Sequence, residues 1–279
     1  MQQDKLINLA QETLAICAAG QYTPPSGRSV SLEKTLNNAM TDTLTYSLED
    51  FGTDVPAKEY TSSSLEVTNE STLSAIIRLA QEDQNQHLAC LNFASARTPG
   101  GGFQRGTMAQ EESLAYASGL YPCLASQPDF YLRNHAFGSA LYLDLVIFSP
   151  YVPFFRDDYH NLLEEPALAS VITAAAPNRR ALEEQGEIAA LRQIESVLRR
   201  RAALVLALAF ARRVDCLILG AWGCGVFAND PQVVARIFAD LLIGAGPYAG
   251  AFERVIFAVL DRSPEQTIFR TFADILTLK

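Results

Sequence analysis

Two adjacent carboxylates and a run of three glycines share one short segment of the chain. The segment, residues 99–112, reads PGGGFQRGTMAQEE and ends at Glu111 and Glu112. Carboxylates can move protons in acid–base catalysis, and glycines without a Cβ let backbone N–H groups approach a phosphate or a sugar closely. Each feature alone has a simpler explanation, since glycines also make tight turns and acidic residues favour helix N-termini. Their combination favours an enzyme.

The two glutamates are expected to have different roles. Thr107 and Gln110 have the spacing of a capping box, which predicts a helix with Thr107 as N-cap that continues to Tyr121. Neighbouring helical residues point about 100° apart, so Glu111 and Glu112 cannot flank one bond from opposite faces as the carboxylates of an ordinary glycosidase do. We therefore expect one glutamate to perform acid–base chemistry and the other to bind substrate.

A second glycine-rich loop is a candidate phosphate site. Residues 220–227, GAWGCGVF, follow a predicted strand and precede a helix that Pro231 would open at its first position. Such loops present backbone donors to phosphate, although this one has neither the GK[ST] of a P-loop nor a GxGxxG fingerprint. Cys224 lacks a histidine at an interpretable spacing to act as its base, so we favour a packing role for its thiol over nucleophilic catalysis.

Three polar residues lie at or after the ends of predicted strands. Asn92 could bind a sugar hydroxyl or form a turn, and Asp261 could reach a base or sugar or cap a surface turn. Thr267, on the helix after the last predicted strand, could form part of a rim.

Apolar periodicity along the chain predicts alternating helices and strands. Helices are predicted at 6–20, 32–48 with Ser31 as a possible cap, 71–84, 182–212 and 231–243, and strands at 64–68, 87–94, 142–149, 216–220 and 255–260. Continuous apolar runs such as LDLVIFS and VIFAVLD suit strands that are buried on both faces of a sheet. The fold class is therefore α/β, a three-layer α/β/α sandwich in one domain.

Composition argues against several classes of binding partner and of structural site. A net charge of −9 argues against a surface that attracts nucleic acid or anionic lipid as a whole. The five cysteines contain no CxxC pair, which fits neither a disulfide framework nor a zinc ribbon and favours a reducing cytoplasm, and we expect neither a metal nor a cofactor. The longest apolar run, at 202–211, is too short to cross a membrane. The arginines at 199–201, 212 and 213 are interpreted as the solvated ends of one long helix.

Several motifs, in order along the chain, resemble one family. The segment NFASARTPGGGFQRGTMAQEE resembles the signature of the bacterial-type poly(ADP-ribose) glycohydrolases, and LAQETLAICAAGQY and LGAWGCGVFAND resemble that family's N-terminal segment and diphosphate-binding loop. The resemblance implies a macrodomain-like fold with a mixed central sheet, one catalytic domain over 1–279 and an N-terminal helical extension over approximately 1–60. It also implies a bacterial, cytoplasmic enzyme that reverses ADP-ribosylation in the DNA damage response.

The same resemblance implies roles for individual residues. Glu112 would protonate the departing oxygen of a ribose–ribose O-glycosidic bond and then, as a carboxylate, activate water, while Glu111 would hold ribose hydroxyls. Phe227 would pack against the proximal ribose, the loop at 223–226 would cradle the diphosphate, and the glycines at 100–102 would shape the catalytic loop. The residues expected to bind substrate are Asn92, Gly100, Gly101, Gly102, Gln110, Gly223, Cys224, Gly225, Val226, Phe227, Asp261 and Thr267.

Two other functions remain open from the sequence. A macrodomain that binds ADP-ribose without cutting it needs the glycine loops but not QEE. A hydrolase of mono-ADP-ribosylated protein or of a free nucleotide-sugar metabolite would use the same pocket with a different leaving group. The expected partners are poly(ADP-ribose), ADP-ribose and ADP-ribosylated proteins, without direct binding to DNA or to a membrane. Because the acidic chain attracts a polyanion only weakly at long range, we expect mainly exo-acting removal of ADP-ribose from exposed chain ends.

Overall fold

A computed structural model describes residues 2–51, 60–83 and 85–277 of the chain. In chain order the strands are β1 (Gln21–Tyr22), β2 (Val30–Ser31), β3 (Leu44–Ser47), β4 (Ser64–Thr68), β5 (Leu88–Phe93), β6 (Leu145–Arg156), β7 (Leu162–Ala174), β8 (Cys216–Leu219) and β9 (Arg254–Ala258). The α-helices are α1 (Gln2–Ala19), α2 (Glu33–Thr41), α3 (Thr72–Glu82), α4 (Gln110–Ala117), α5 (Leu120–Ala125), α6 (Pro128–Phe137), α7 (Arg179–Glu184), α8 (Ile188–Leu191), α9 (Ile194–Ala211), α10 (Pro231–Leu242) and α11 (Thr267–Leu276).

A seven-stranded mixed sheet forms the centre of the molecule, with the strand order β3-β6-β7-β5-β8-β9-β4. Strands β7, β5, β8, β9 and β4 pair in parallel, whereas β6 is antiparallel to both β7 and β3. The central strands β5 and β8 are buried along almost their whole length, as their continuous apolar sequences predict. The carboxyl ends of the five parallel strands therefore meet at one edge of the sheet.

Helices cover both faces of this sheet. Apolar side chains of α3, α4, α5 and α6 form one core with the sheet, and those of α9, α10 and α11 form the other. Helix α3 has buried residues at helical spacing, Leu73, Ile76 and Leu79, and begins where the Ser71 hydroxyl accepts the Ser74 N–H over 2.9 Å. The predicted three-layer α/β/α fold with a mixed sheet is confirmed. Among the described residues, no helix is both long and apolar enough to span a bilayer.

The N-terminal segment departs from the predicted helical extension. Helix α1 forms as predicted, but the predicted helix at 32–48 is wrong beyond Thr41, because residues 44–47 pair with β6 as an edge strand. Threonines at 41, 43 and 45 are β-branched and favour the strand. Helix α2 has Leu32 as N-cap without a side-chain hydrogen bond, so the predicted cap at Ser31 is also wrong. Residues 52–59 of the extension, and Gln84 at the end of the predicted helix 71–84, lie outside the described residues.

Strand β7 and the burial of Arg201 are not evident from the sequence pattern. The β7 sequence LLEEPALASVITA contains two glutamates and a proline in its first half, which hide a strand that pairs with both β6 and β5.

The interpretation of the arginine cluster as solvated is wrong for Arg201, whose side chain is fully buried, although Arg199 and Arg200 are about half exposed. Arg201 is buried because carbonyl oxygens and a carboxylate surround it.

Candidate active site

A cleft of about 860 Å³ opens at the carboxyl ends of the parallel strands. The loops after β5, β7, β8 and β9 and the segment before α3 contribute to its walls. Open α/β sheets bind ligands at this edge, because strand ends and helix N-termini meet there. Eight of the residues predicted to carry the site line the cleft: Gln110, Glu111, Glu112, Gly223, Cys224, Gly225, Val226 and Phe227.

Helix α4 presents both glutamates from its first turn. Its N-cap is Ala109 rather than Thr107, so the predicted capping box is wrong. The Thr107 side chain instead points to the site and donates from Oγ1 to Glu112 Oε1 over 3.1 Å. The Gln110 amide is held by the end of β5, where its Oε1 accepts the Phe93 N–H over 2.8 Å. The start of α4 is thereby fixed to β5, the strand that precedes the three glycines at 100–102.

Glu111 is held at both of its carboxylate oxygens. Oε2 accepts the Ser95 N–H over 2.7 Å, and Oε1 accepts from Asn92 Nδ2 over 3.3 Å. The side chain is 3% exposed. Burial, the largest effect, raises the pKa of Glu111 to about 8 against the opposing influence of the hydrogen bonds from Ser95 and Asn92.

Glu112 is held at only one oxygen. Its Oε1 accepts the Gly102 N–H over 2.8 Å as well as the Thr107 hydroxyl. Its Oε2 accepts no hydrogen bond from any described residue. Glu112 lines the cleft and is 9% exposed. Its carboxyl group therefore has a fixed position, while its Oε2 is free to contact a ligand.

The glycine run brings backbone against the two carboxylates. Gly100 and Gly101 adopt φ values of +64° and +60°, which L side chains rarely adopt. A Cβ on Gly101 would overlap Glu112 Oε1 and lie 3.1 Å from Glu111 Oε2. The glycine at 101 is therefore required both by its backbone conformation and by its contact with the carboxylates. The glycines at 100–102 do not line the cleft themselves, because they lie behind the glutamates.

Helix α1 packs against the outside of the loop that contains the three glycines. Leu6, Leu9 and Ala10 pack with Phe103 of the loop and Tyr116 of α4 in one apolar cluster. The Tyr116 hydroxyl donates to the carbonyl oxygens of residues 103 and 107, over 2.7 and 2.9 Å. The loop that positions Glu112 is thus held between the N-terminal helix and α4.

The second glycine-rich loop presents unused backbone donors to the cleft. The N–H groups of Gly225, Val226 and Phe227 donate to no acceptor in the described parts of the chain. Trp222 fixes the start of the loop, because its Nε1 donates to the Ala174 carbonyl at the end of β7 over 2.9 Å. Gly223 has a φ of +75°, and a Cβ there would lie 2.5 Å from Asn229 Nδ2. A row of free N–H groups in such a turn is suited to an anion.

Cys224 has no feature of a nucleophile. It is buried, and burial raises the pKa of its thiol to about 12. Within the described residues there is no group of three or more His, Cys, Asp or Glu side chains that could hold a metal ion.

The remaining predicted residues lie beside the cleft rather than in its lining. Asn92 is fully buried behind Glu111, and its Oδ1 has no hydrogen-bond partner. Asp261 caps α11, because its Oδ2 accepts the Ile268 N–H over 2.8 Å, and hydrogen bonds, first of all from the Ser263 side chain, lower the pKa of its carboxyl. Thr267 is the exposed first residue of α11, and the cleft is lined by its neighbour Ile268.

Several residues of the site give no signal in the sequence. Ser95 contributes through its backbone, and the spacing around Thr107 indicates a cap rather than a contact with Glu112. Tyr142 lines the cleft beside Phe227, with ring centroids 6.3 Å apart. The β6–β7 turn contributes residues 157, 158 and 160 to the cleft wall, and that wall cannot be foreseen without β7.

Comparisons with known proteins agree with one another. A model of the family "Microbial-type PARG, catalytic domain" matches residues 10–157. The crystal structure of poly(ADP-ribose) glycohydrolase (PARG) from Thermomonospora curvata is 44% identical, covers 98% of this chain and 99% of that chain, and superimposes with a TM-score of 0.90. The same organism's enzyme bound to the inhibitor ADP-HPD is 45% identical, with 97% and 99% covered and a TM-score of 0.90. PARG from Deinococcus radiodurans in complex with ADP-ribose is 43% identical, with 87% and 97% covered and a TM-score of 0.80. A search of curated proteins gave no match.

Proposed function

Because the chain belongs to the family of microbial-type PARG catalytic domains, it is a glycoside hydrolase that acts on poly(ADP-ribose), and we propose that Glu112 supplies both proton transfers of the reaction. The free Oε2 of Glu112 carries this proposal. A general acid must deliver a proton to the leaving oxygen from a fixed position, and an oxygen with no internal partner can do so. Glu111 has no such oxygen, because both of its oxygens accept hydrogen bonds from the protein.

The reaction breaks the bond between an anomeric ribose carbon and the ribose oxygen of the neighbouring unit. Glu112 Oε2 gives its proton to the departing oxygen while positive charge develops on the anomeric carbon and ring oxygen. The ionised Glu112 then takes a proton from a water molecule that attacks the anomeric carbon. The products are ADP-ribose and a polymer that is one unit shorter, and Glu112 is again protonated.

Glu111 is proposed to orient ribose hydroxyls. Burial raises the pKa of its carboxyl to about 8, which limits the negative charge beside Glu112 in the empty cleft at neutral pH. Asn92, whose Oδ1 is buried and unpartnered, lies behind Glu111 and is proposed to assist in holding the ribose.

The diphosphate is proposed to bind the loop at 223–227. The free N–H groups of Gly225, Val226 and Phe227 support this role, because they offer neutral donors to an anion in a chain with a net charge of −9. Phe227 is proposed to pack against the proximal ribose from the same loop.

The test compares wild type with Glu112→Gln and Glu111→Gln on poly(ADP-ribose), with ADP-ribose release as the readout and ADP-ribose binding by calorimetry as the control for a folded site. We expect Glu112→Gln to bind ADP-ribose and release product at least about 100-fold more slowly, since general acid–base groups contribute 10²–10⁴-fold. Release at the wild-type rate by Glu112→Gln would exclude its role. Binding without release by wild type would leave a reader of ADP-ribose, and release only from singly modified protein would leave a mono-ADP-ribosyl hydrolase.

Finer properties of the activity are also proposals. We infer mainly exo-acting cleavage, supported by the net charge of −9, which attracts a polyanion only weakly, and a comparison of monomer and oligomer release from chains of defined length tests it. One catalytic domain over 1–279 is supported by the sheet, which collects strands from residue 44 to residue 258.

The family resemblance supports four further proposals: ADP-ribosylated proteins as partners, the absence of DNA binding, a cytoplasmic location and a role in the DNA damage response. The free thiols of all five cysteines support a reducing compartment.

A further inference from the structure

Arg201 is a cation without any access to solvent, in the middle of α9. Its Nε and Nη2 donate to Asp144 Oδ1 over 3.2 and 3.0 Å, and its Nη2 also donates to the carbonyl oxygens of Leu141 and Tyr142, both over 3.1 Å. Its Nη1 donates to the carbonyl oxygen of Ala175. Burial lowers the pKa of Arg201 to about 10, so the side chain stays cationic at neutral pH. One guanidinium thereby joins the turn before β6 to the segment after β7.

The first of these segments carries an aromatic wall of the cleft. Tyr142 has a φ of +58°, a conformation that a residue with a Cβ adopts only when its surroundings impose it. The bond from Arg201 to the Tyr142 carbonyl oxygen holds this backbone. In this conformation Tyr142 lines the cleft, and its ring contacts the ring of Phe227.

The second segment, after β7, is joined through Asn229 to the loop at 223–227, the proposed diphosphate site. Ala176 lines the cleft directly after the carbonyl that Arg201 binds. The carbonyl oxygen of Pro177 accepts from Asn229 Nδ2 over 2.8 Å, and Asn229 also binds the Gly223 carbonyl oxygen over 3.2 Å. The position of the loop therefore depends on a segment that Arg201 fixes.

We propose that Arg201 is a positioning residue for substrate, which holds Tyr142 and Ala176 as one wall of the cleft against the proximal part of ADP-ribose. The inference deepens the proposed function and rests on it. A lysine cannot replace the arginine, because an ammonium is a point donor and cannot reach carbonyl oxygens on two segments and the carboxylate in one plane. The proposal makes Arg201 a determinant of affinity at a distance from the substrate, with no direct part in proton transfer.

The test uses Arg200 as a control, because its side chain also binds Asp144. Arg200 donates to Asp144 Oδ2 over 3.0 Å from a half-exposed position and binds none of the carbonyl oxygens. Arg201→Lys, Arg200→Lys and Tyr142→Ala are compared for ADP-ribose affinity by calorimetry, for KM and kcat on poly(ADP-ribose), and for thermal stability. We expect Arg201→Lys and Tyr142→Ala to weaken ADP-ribose binding and raise KM by about tenfold or more with kcat little changed, since small misplacements of binding groups are costly. Arg200→Lys should leave all three unchanged.

The double variant separates positioning from stability. Because Arg201 acts in part through Tyr142, we expect Arg201→Lys combined with Tyr142→Ala to lose less ADP-ribose affinity than the sum of the two single losses. Additive losses, or an Arg201→Lys protein that melts earlier but binds with wild-type affinity below its transition, would overturn the proposal. If Arg201→Lys does not fold, Tyr142→Ala decides, and wild-type affinity in that variant overturns it. Failure of the proposed function is distinguishable, because it appears as absent product release in the wild type while calorimetry still reports on ADP-ribose.

Discussion

Thr107 Oγ1 donates to Glu112 Oε1 over 3.1 Å, to the same oxygen that accepts the Gly102 N–H. The hydroxyl therefore fixes the carboxyl without occupying Oε2, the oxygen that we propose to deliver the proton. We expect Thr107→Val, which keeps the shape, to lower kcat by about tenfold with little change in KM, since removing a hydrogen-bond partner of a buried polar group costs about 1–3 kcal/mol. Ser113→Ala is the matched control, because that hydroxyl is on α4 and bonds to Met108 Sδ and the Ala109 carbonyl oxygen. Equal kcat values for the Thr107 variant and wild type would show that Gly102 alone suffices.

Gly101→Ala is expected to abolish catalysis beyond its effect on stability. The added Cβ overlaps Glu112 Oε1, so the carboxylates must move, and a φ of +60° adds strain of about 1–2 kcal/mol. Gly27→Ala is the control, since Gly27 has a φ of +81° and nothing within 4 Å of a new Cβ. Both variants should lose stability in denaturant unfolding, but only the Gly101 variant should lose turnover, by at least about 100-fold. Comparable turnover in the two would mean that strain alone matters.

Stability should depend on pH through Glu111. Its folded-state pKa of about 8 lies above the ordinary value of 4.5, so the folded state keeps a proton that the unfolded chain releases between these values. Below pH 4.5 this contribution to the free energy of unfolding is fully present, and it is lost as the pH rises to about 8. Glu111→Gln should gain stability relative to wild type across this window in urea titrations, whereas Glu184→Gln, which removes an exposed carboxylate, should track wild type. A constant difference between wild type and Glu111→Gln across the interval between the two pKa values would contradict the raised pKa.

The fluorescence of Trp222 should report occupancy of the loop at 223–227, where we propose that the diphosphate binds. The chain has one tryptophan, and it lies at the start of that loop and lines the cleft. We expect ADP-ribose to change its emission saturably, with a midpoint equal to the calorimetric Kd, when excitation is at the red edge of indole absorption. Adenosine, which has no phosphate, serves as the control and should produce little change. A calorimetric binding curve without any change in emission would place the diphosphate elsewhere.

The chemistry-bearing residues are predictable because each glycine loop follows a strand with a continuous apolar sequence. The strands 88–93 and 216–219 can be recognised from local pattern, and parallel strands bring their carboxyl ends together. The amino-acid sequence therefore suffices to assign the glycines and glutamates to one site. The sheet itself is harder to predict, since β3 and β7 depend on pairing with β6 rather than on their own periodicity.

The contacts that distinguish Glu111 from Glu112 cannot be predicted from local pattern. They depend on Ser95, Thr107 and Gly102 meeting particular oxygens, which a change of one residue in the start of α4 would alter. The burial of Arg201 escapes prediction for a related reason. A helix surface rich in arginine is usually solvated, and only partners about 60 residues earlier in the chain show that this position faces inward.

The packing of α1 on the catalytic loop has a practical consequence for handling the protein. Gln2 lines the cleft, and Gln3 Nε2 donates to the Arg105 carbonyl oxygen over 2.9 Å. An affinity tag or a fusion partner joined ahead of Gln2 would emerge beside the cleft in which we propose that the end of the polymer binds. Tags and surface-immobilisation handles therefore belong at the other end of the chain, and a preparation with an uncleaved N-terminal tag should be compared with a cleaved one before its turnover is taken as that of the enzyme.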